Sequence, residues 1–275
     1  MIDRTKQLIK DADAILITAG AGMGVDSGLP DFRGNEGFWK AYPVIEKLGY
    51  SFSEMANPTW FETSPKLAWA FYGHRLNLYR NTVPHKGFKM LLDLVEAKGD
   101  NYFIFTSNVD GQFQKAGFSD KKIWEVHGSI HHFQCCEKCT KNIFDAPQDT
   151  IDIDMKEFRA LTIPKCPNCG NIARPNILMF GDVHWNDTRS NTQKARYNRW
   201  IKKVRNPSKN LLIIEMGAGT AIPTVRNLGD SLSKKMLNAT LIRINPRESF
   251  VYLEKNISIE YGAADGLRVL CIQVL

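Results

Sequence analysis

No run of about 18 apolar residues occurs anywhere in the 275-residue chain, which argues against a membrane-crossing helix. Cysteine is scarce: there are six, and five of them fall into two tight groups, Cys135/Cys136/Cys139 and Cys166/Cys169. So few, so clustered, they argue against a disulfide framework and point to a metal and a reducing, cytoplasmic setting. A basic leader is also missing. Asp3, Asp11 and Asp13 precede the first apolar run, so that run is not a secretory signal. Internal repeats and low-complexity tracts are absent too. What is present is an ordinary globular composition, 43% hydrophobic and 24% charged, enough for one large domain or one domain with a sizeable insertion. The net charge of +7 favours acidic partners: nucleic acid, acidic protein or an anionic cofactor.

The first apolar run, Ala14-Ile15-Leu16-Ile17-Thr18-Ala19, reads as a buried strand and stops at Gly20-Ala21-Gly22-Met23-Gly24. Glycines there let the chain turn sharply and let an anionic ligand approach bare main-chain N–H groups. Alone this is also what a tight turn looks like. The continuation, Ser27-Gly28-Leu29-Pro30-Asp31-Phe32-Arg33-Gly34, is too polar and too punctuated to be core.

Together these segments strongly resemble the sirtuin (Sir2) family of NAD-dependent protein deacylases, whose first loop reads GAG, two or three variable residues, then SGIPDFRG. The resemblance continues in family order from about Ile15 to Leu270. It implies that Gly20, Ala21, Gly22, Asp31, Phe32 and Arg33 bind NAD, a co-substrate that is consumed. Thr106-Ser107-Asn108-Val109-Asp110 follows the apolar run Tyr102–Phe105 and is similar to Thr-Gln-Asn-Ile-Asp, so Ser107, Asn108 and Asp110 are expected at the nicotinamide end. Ser107 departs from the usual Gln. His127-Gly128 matches the family His-Gly, which makes His127 the expected general base, a role suited to imidazole near neutral pH, with Asn108 beside it in catalysis. Gly217 matches a Gly-Thr-Ser on the adenosine side, but Ala218 and Gly219 replace both hydroxyl residues, leaving Thr220 as the nearest hydroxyl. Asn245 and Ala264 resemble the last two dinucleotide contacts, the latter through main chain. The implied reaction releases nicotinamide, passes the acyl group to the sugar with His127 taking a ribose proton, and yields O-acyl-ADP-ribose. An NAD hydrolase or ADP-ribosyltransferase on the same scaffold is the alternative.

For the substrate, Arg174–Asp182 resembles the family segment that pairs with an acyl-lysine protein as a strand, with Ile177, Leu178 and Phe180 covering the acyl chain. Tyr72 and Arg75 share a helical face three residues apart. They sit in Phe71-Tyr72-Gly73-His74-Arg75, similar to the Phe-Tyr-x-x-Arg that binds an acidic acyl carboxylate such as succinyl in desuccinylase-type sirtuins.

The paired cysteine groups fit a closed tetrahedral zinc site with a structural role. CxxC knuckle spacing selects Cys136, Cys139, Cys166 and Cys169; counting from His127-Gly128, the family's first ligand falls on Cys135 instead. Knuckle geometry favours Cys136. Residues 194–209 pattern as an amphipathic helix with a basic outer face, more readily a solvated surface than a nucleic-acid site.

Strands at 14–19, 102–105, 123–126, 211–214 and 241–244 alternate with helices, which implies an α/β fold with a Rossmann-like parallel sheet. Residues 1–37, 81–131 and 176–275 are assigned to that domain, 38–80 to a helical module and 132–175 to a zinc-binding module.

Overall fold

The computed structural model describes residues 2–30 and 34–271. Its frame is a six-stranded parallel sheet in the order β11-β10-β9-β1-β2-β3. The strands are β1 (Ala14–Ala19), β2 (Tyr102–Thr106), β3 (Ile123–Glu125), β9 (Leu211–Met216), β10 (Ala239–Ile244) and β11 (Ile257–Ile259). β1, β2 and β9 are buried along their whole length, because helices cover both faces of the sheet. Ile15 and Ile17 of β1 face the helices α1 (Ile2–Asp11), α7 (Lys86–Ala97) and α11 (Ala263–Cys271). Ala14 and Leu16 face α9 (Thr188–Val204) and α10 (Thr224–Lys235), as a two-residue side-chain period requires.

Helix ends follow local chemistry. α7 starts where the His85 side chain accepts from the Gly87 N–H, and it closes before Gly99, which is left-handed (φ 76°). The basic helix starts earlier than the pattern suggests, at Thr188, and ends at Val204, burying Tyr197, Ile201 and Val204 while Lys194, Arg199, Lys202 and Lys203 stay exposed. The sixth strand, Ile257–Ile259, escapes the sequence reading because three residues carry no measurable period.

The rest of the chain stands beside the C-terminal ends of the strands. Short helices α2 (Gly34–Ala41), α3 (Pro43–Lys47), α4 (Phe52–Met55) and α5 (Trp60–Thr63) lead into the long α6 (Pro65–Asn81), which carries Pro at its first position. A three-stranded antiparallel sheet, β5-β4-β8, packs on them: β4 (Gly128–Cys135), β5 (Phe144–Asp145) and β8 (Ala173–Ile177). A two-stranded ribbon, β6 (Ile153–Asp154) and β7 (Arg159–Ala160), lies in the loop between the cysteine groups. One aromatic-rich core joins these helices to β4 and β8. Phe61, Trp69, Tyr72 and Phe133 are all essentially inaccessible, and the Trp69 indole donates to the Ala173 carbonyl at 3.0 Å. No helix among the described residues is long and apolar enough to cross a membrane.

Candidate active site and cysteine cluster

Strand ends build the site. β1 stops at Gly20 and β2 at Thr106, and the two exits are sewn together. The Thr106 hydroxyl donates to the Ala19 carbonyl at 2.9 Å, and Asn108 Nδ2 donates to the Gly20 carbonyl at 3.1 Å. On the other side of β1, the loop after β9 touches the first glycine loop main chain to main chain. A side chain on Gly217, which is left-handed (φ 58°), would stand 2.3 Å from the Gly22 carbonyl carbon. No residue but glycine fits there. β3 delivers His127, and the next residue, Gly128, lies so close to β8 that an added carbon would meet the Asn176 oxygen at 2.0 Å. The chain then returns along β8, where the Leu178 N–H donates to the His127 carbonyl at 2.9 Å.

These exits surround a cavity of about 340 Å³ at the C-terminal ends of the sheet strands, where open α/β sheets hold their ligands. Its walls include Gly20, Ala21, Ser107, Asn108, Asp110 and His127 from one side of the sequence prediction. Tyr72 and Arg75 come from α6, Ile177 from the end of β8, Leu178 and Phe180 from the segment after it, and Gly217 from the loop after β9. Gly22, Asn245 and Ala264 do not line it. The Gly22 N–H donates to the Gly217 carbonyl at 3.0 Å. Asn245 is fully buried under the β9 loop, its Nδ2 donating to the Ala218 carbonyl at 2.9 Å. The Ala264 N–H, expected against a ligand, donates to Asp26 Oδ2 at 2.7 Å. Asp31, Phe32 and Arg33 lie outside the described residues. Tyr79 lines the cavity unforeseen; it stands seven residues after Tyr72, on the same helical face, and that spacing is the signal that could have found it.

Burial sets the electrostatics. His127 is held below the ordinary imidazole range by loss of solvent, partly opposed by a hydrogen bond with the Ser107 main chain. Near neutral pH its ring is therefore uncharged and able to accept a proton. Burial raises the Asp110 carboxyl to about 6, with the nearby Glu125 charge adding to the rise, while the Gln112 N–H donating to Oδ1 at 2.9 Å and the Arg75 charge work against it. Arg75 is only 6% exposed. Its guanidinium lies 5.2 Å from the centre of the Phe71 ring and donates to the Tyr79 hydroxyl through Nε at 3.0 Å and Nη2 at 2.9 Å. The Tyr72 hydroxyl is buried with no hydrogen-bond partner among the described residues.

The cysteines correct one expectation. Cys135, Cys139, Cys166 and Cys169 bring their sulfurs within 4.8 Å of one another; Cys136 does not join them. Sulfur separations of 3.6 Å for Cys135–Cys169 and for Cys139–Cys166 match the edge of a tetrahedron with zinc–sulfur bonds of about 2.3 Å. Cys136 is turned the other way because its N–H donates to the Ile172 carbonyl at 3.0 Å, which continues the β4–β8 pairing by one residue and aims its thiol at the aromatic core. Burial there pushes that thiol up to about 12. The first knuckle is thus Cys-x₃-Cys, and the left-handed Lys138 (φ 51°) takes up the extra residue. Donor type, number and spacing all fit a structural zinc ion with no open position.

Curated relatives called NAD-dependent protein deacylase include one from Aquifex aeolicus, 27% identical over 254 residues and covering 92% of both chains. Another from Leptospira interrogans is 29% identical over 257 residues, covering 94% of this chain and 91% of its own. A third, from Pyrococcus furiosus, is 33% identical over 179 residues, 65% of each chain. Among solved structures, a mutant Sir2 homologue in complex with ADP-ribose superposes with a TM-score of 0.75 at 25% identity, covering 100% of this chain and 96% of that one. A Sir2 homologue–NAD complex superposes with a TM-score of 0.74 at 24% identity, over 99% and 93%. The sequence pattern of the Sir2 family itself matches residues 20–200, from the first glycine loop through the cysteine cluster into α9, and by that match the chain belongs to the Sir2 family.

Proposed function

We propose that the chain is an NAD-dependent protein-lysine deacylase in which His127 is the general base. The observation that carries this reading is the single cavity that brings Asn108, Asp110 and His127 together with the exposed Leu178 and Phe180. When bound, NAD supplies an electrophilic sugar carbon with nicotinamide as leaving group. The protein's part is placement and proton handling. Asn108, tied to Gly20, and the carboxyl of Asp110 fix the nicotinamide end; Leu178 and Phe180 flank the acyl-lysine and keep water out. Holding both reactants at contact distance removes much of the entropic barrier. His127, uncharged because it is buried, takes the ribose proton so that the acyl group can pass to the sugar. The cysteine cluster lies apart from this wall, and its zinc would cross-link the ribbon without entering the chemistry.

Two cavity groups favour acidic acyl chains such as succinyl. Tyr72 offers a hydroxyl without an acceptor among the described residues, and Arg75 offers a positive charge on the same wall. The test supplies NAD with acetyl- and succinyl-lysine peptides and follows nicotinamide and O-acyl-ADP-ribose. Peptide-dependent formation of both products in equal amounts supports deacylation. Nicotinamide release that ignores peptide would replace it with an NAD hydrolase, and transfer of ADP-ribose to protein with an ADP-ribosyltransferase.

A further inference from the structure

The sequence holds Gly-Ala-Gly twice, at 20–22 and at 217–219, and the fold sets the two copies against each other at the ends of neighbouring strands. A glycine loop of this kind is expected to hold a diphosphate on its N–H groups. The first copy is nearly spent. Gly20 N–H donates to the Met216 carbonyl, Gly22 to Gly217, Met23 to Gly20 and Gly24 to Ala21. Within 20–24 only the Ala21 N–H has no acceptor among the described residues. One donor is thin for a dianionic ligand, and the hydroxyl side chains that the family pattern places on the second loop are Ala218 and Gly219 here. Thr220 does not replace them, since its hydroxyl donates to the Glu248 carboxylate.

The second loop is instead held from below. The Ala218 carbonyl accepts from Asn245 Nδ2 at 2.9 Å and from Arg226 Nη1 at 3.1 Å, and the same Arg226 nitrogen donates to the Glu248 carbonyl at 2.8 Å. Asn245 is fully buried and Arg226 is 9% exposed, and neither lines the cavity, whereas Gly219 does. No peptide bond among the described residues is cis, so the carbonyl of Ala218 and the N–H of Gly219 point in opposite directions. Pulling the carbonyl down therefore turns the N–H up, and that N–H has no acceptor among the described residues.

We infer that Arg226 and Asn245 clamp the Ala218 carbonyl so that the Gly219 N–H, together with that of Ala21, binds the diphosphate of NAD in place of hydroxyl side chains. The inference rests on the NAD-dependent reading above and adds Arg226 as a positioning residue. Ligand pairs test it. ADP-ribose carries the diphosphate and adenosine does not, so binding of each is measured by calorimetry to the wild-type chain, to Arg226→Met and to Arg226→Lys. Arg226→Met should weaken ADP-ribose about tenfold, the size of one hydrogen bond to a charged group, and adenosine less than about twofold. Arg226→Lys, whose single ammonium can serve both carbonyls, should recover most of the loss. Equal weakening of both ligands, or none, overturns the clamp. A second measurement needs no variant: on nitrogen-15-labelled wild-type protein, the Gly219 amide proton should move downfield and gain exchange protection with ADP-ribose but not with adenosine. ADP-ribose binding without that response sinks the clamp alone. A wild-type chain that binds neither NAD nor ADP-ribose overturns the NAD-dependent reading and the clamp with it.

Discussion

The guanidinium of Arg174 grips both carboxylate oxygens of Asp182, at 2.7 Å and 2.9 Å, with side chains 4% and 0% exposed. The pair closes the turn that carries Leu178 and Phe180, since Asp182 also accepts from the His184 N–H at 3.1 Å. A buried pair of this kind does little net work while intact, but losing one partner strands the other charge. Asp182→Ala should therefore cost about 3 kcal/mol or more in chemical denaturation. If the loosened turn flanks the acyl-lysine as proposed, the surviving enzyme should show a higher KM for peptide with the KM for NAD nearly unchanged. A loss of less than about 1 kcal/mol would mean the pair is not buried as described.

The protonation state of His127 makes the second prediction. Burial holds its imidazole below the ordinary value of about 6.5. A general base works in its deprotonated form, so activity should stay level as pH falls to that value and drop only below it. A pH profile of kcat/KM with its acidic midpoint above about 7 would contradict this. His127→Ala should lower turnover by about 10²- to 10⁴-fold without changing the fold. His74, His85, His131 and His132 are likewise held low by burial. The unfolded chain takes up protons at these positions first, so their contribution to stability is fully present above about pH 6.5 and is lost as pH falls below it through the lower folded values.

Asp110 carries the opposite sign. Its folded value of about 6 lies above the unfolded value of about 3.9, so between those limits the folded chain binds the extra proton. Its contribution is present at low pH and lost as pH rises, leaving a cost on the order of 3 kcal/mol near pH 7. Asp110→Asn keeps an acceptor for the Gln112 N–H and removes the charge. The variant should be more stable than wild type at pH 7, lose that advantage by about pH 4, and bind NAD less well. Equal stability at both pH values would show that the carboxyl is solvated.

How much of this was legible follows from local signal strength. The run Ala14–Ala19 with its glycines, Tyr102–Thr106 with Asn108, and the His127-Gly128 pair are dense, ordered features, and from each of them the fold brings a residue, Gly20, Asn108 or His127, to one cavity. Ile257–Ile259 is too short to carry a period, and it depends on β10 for its pairing. Between Cys135 and Cys136 the two spacing counts disagree: the CxxC rule selects Cys136 and the count from His127-Gly128 selects Cys135, and the tertiary bond from the Cys136 N–H to Ile172 decides for Cys135. Asn245 is expected from the sequence as a dinucleotide contact, whereas its side chain lies outside the cavity on the Ala218 carbonyl, a partner visible only once the β9 loop has folded over it.

That correction is itself open to test. Cys135→Ser removes one of four converging thiolates, so metal analysis should find well below one zinc per chain and a lowered melting temperature. Cys136→Ser leaves the four ligands in place and should keep about one zinc per chain, with only a small loss of stability from a hydroxyl placed in the aromatic core. The reverse pattern would return Cys136 to the metal.

Tyr72 separates acyl choice from stability. Its hydroxyl is buried without a partner among the described residues, which costs the free protein a desolvated donor. Tyr72→Phe removes that group while leaving the ring on Phe61, its stacked neighbour at 5.6 Å, so stability should hold or rise by up to about 1 kcal/mol. If the hydroxyl waits for an acidic acyl carboxylate beside Arg75, the variant should lose about tenfold in kcat/KM for succinyl-lysine peptide and little for acetyl-lysine peptide. Arg75→Met should exaggerate the same split, because it removes the charge that the carboxylate meets. Parallel losses on the two peptides would leave both side chains as part of the aromatic core and end the case for acidic acyl groups.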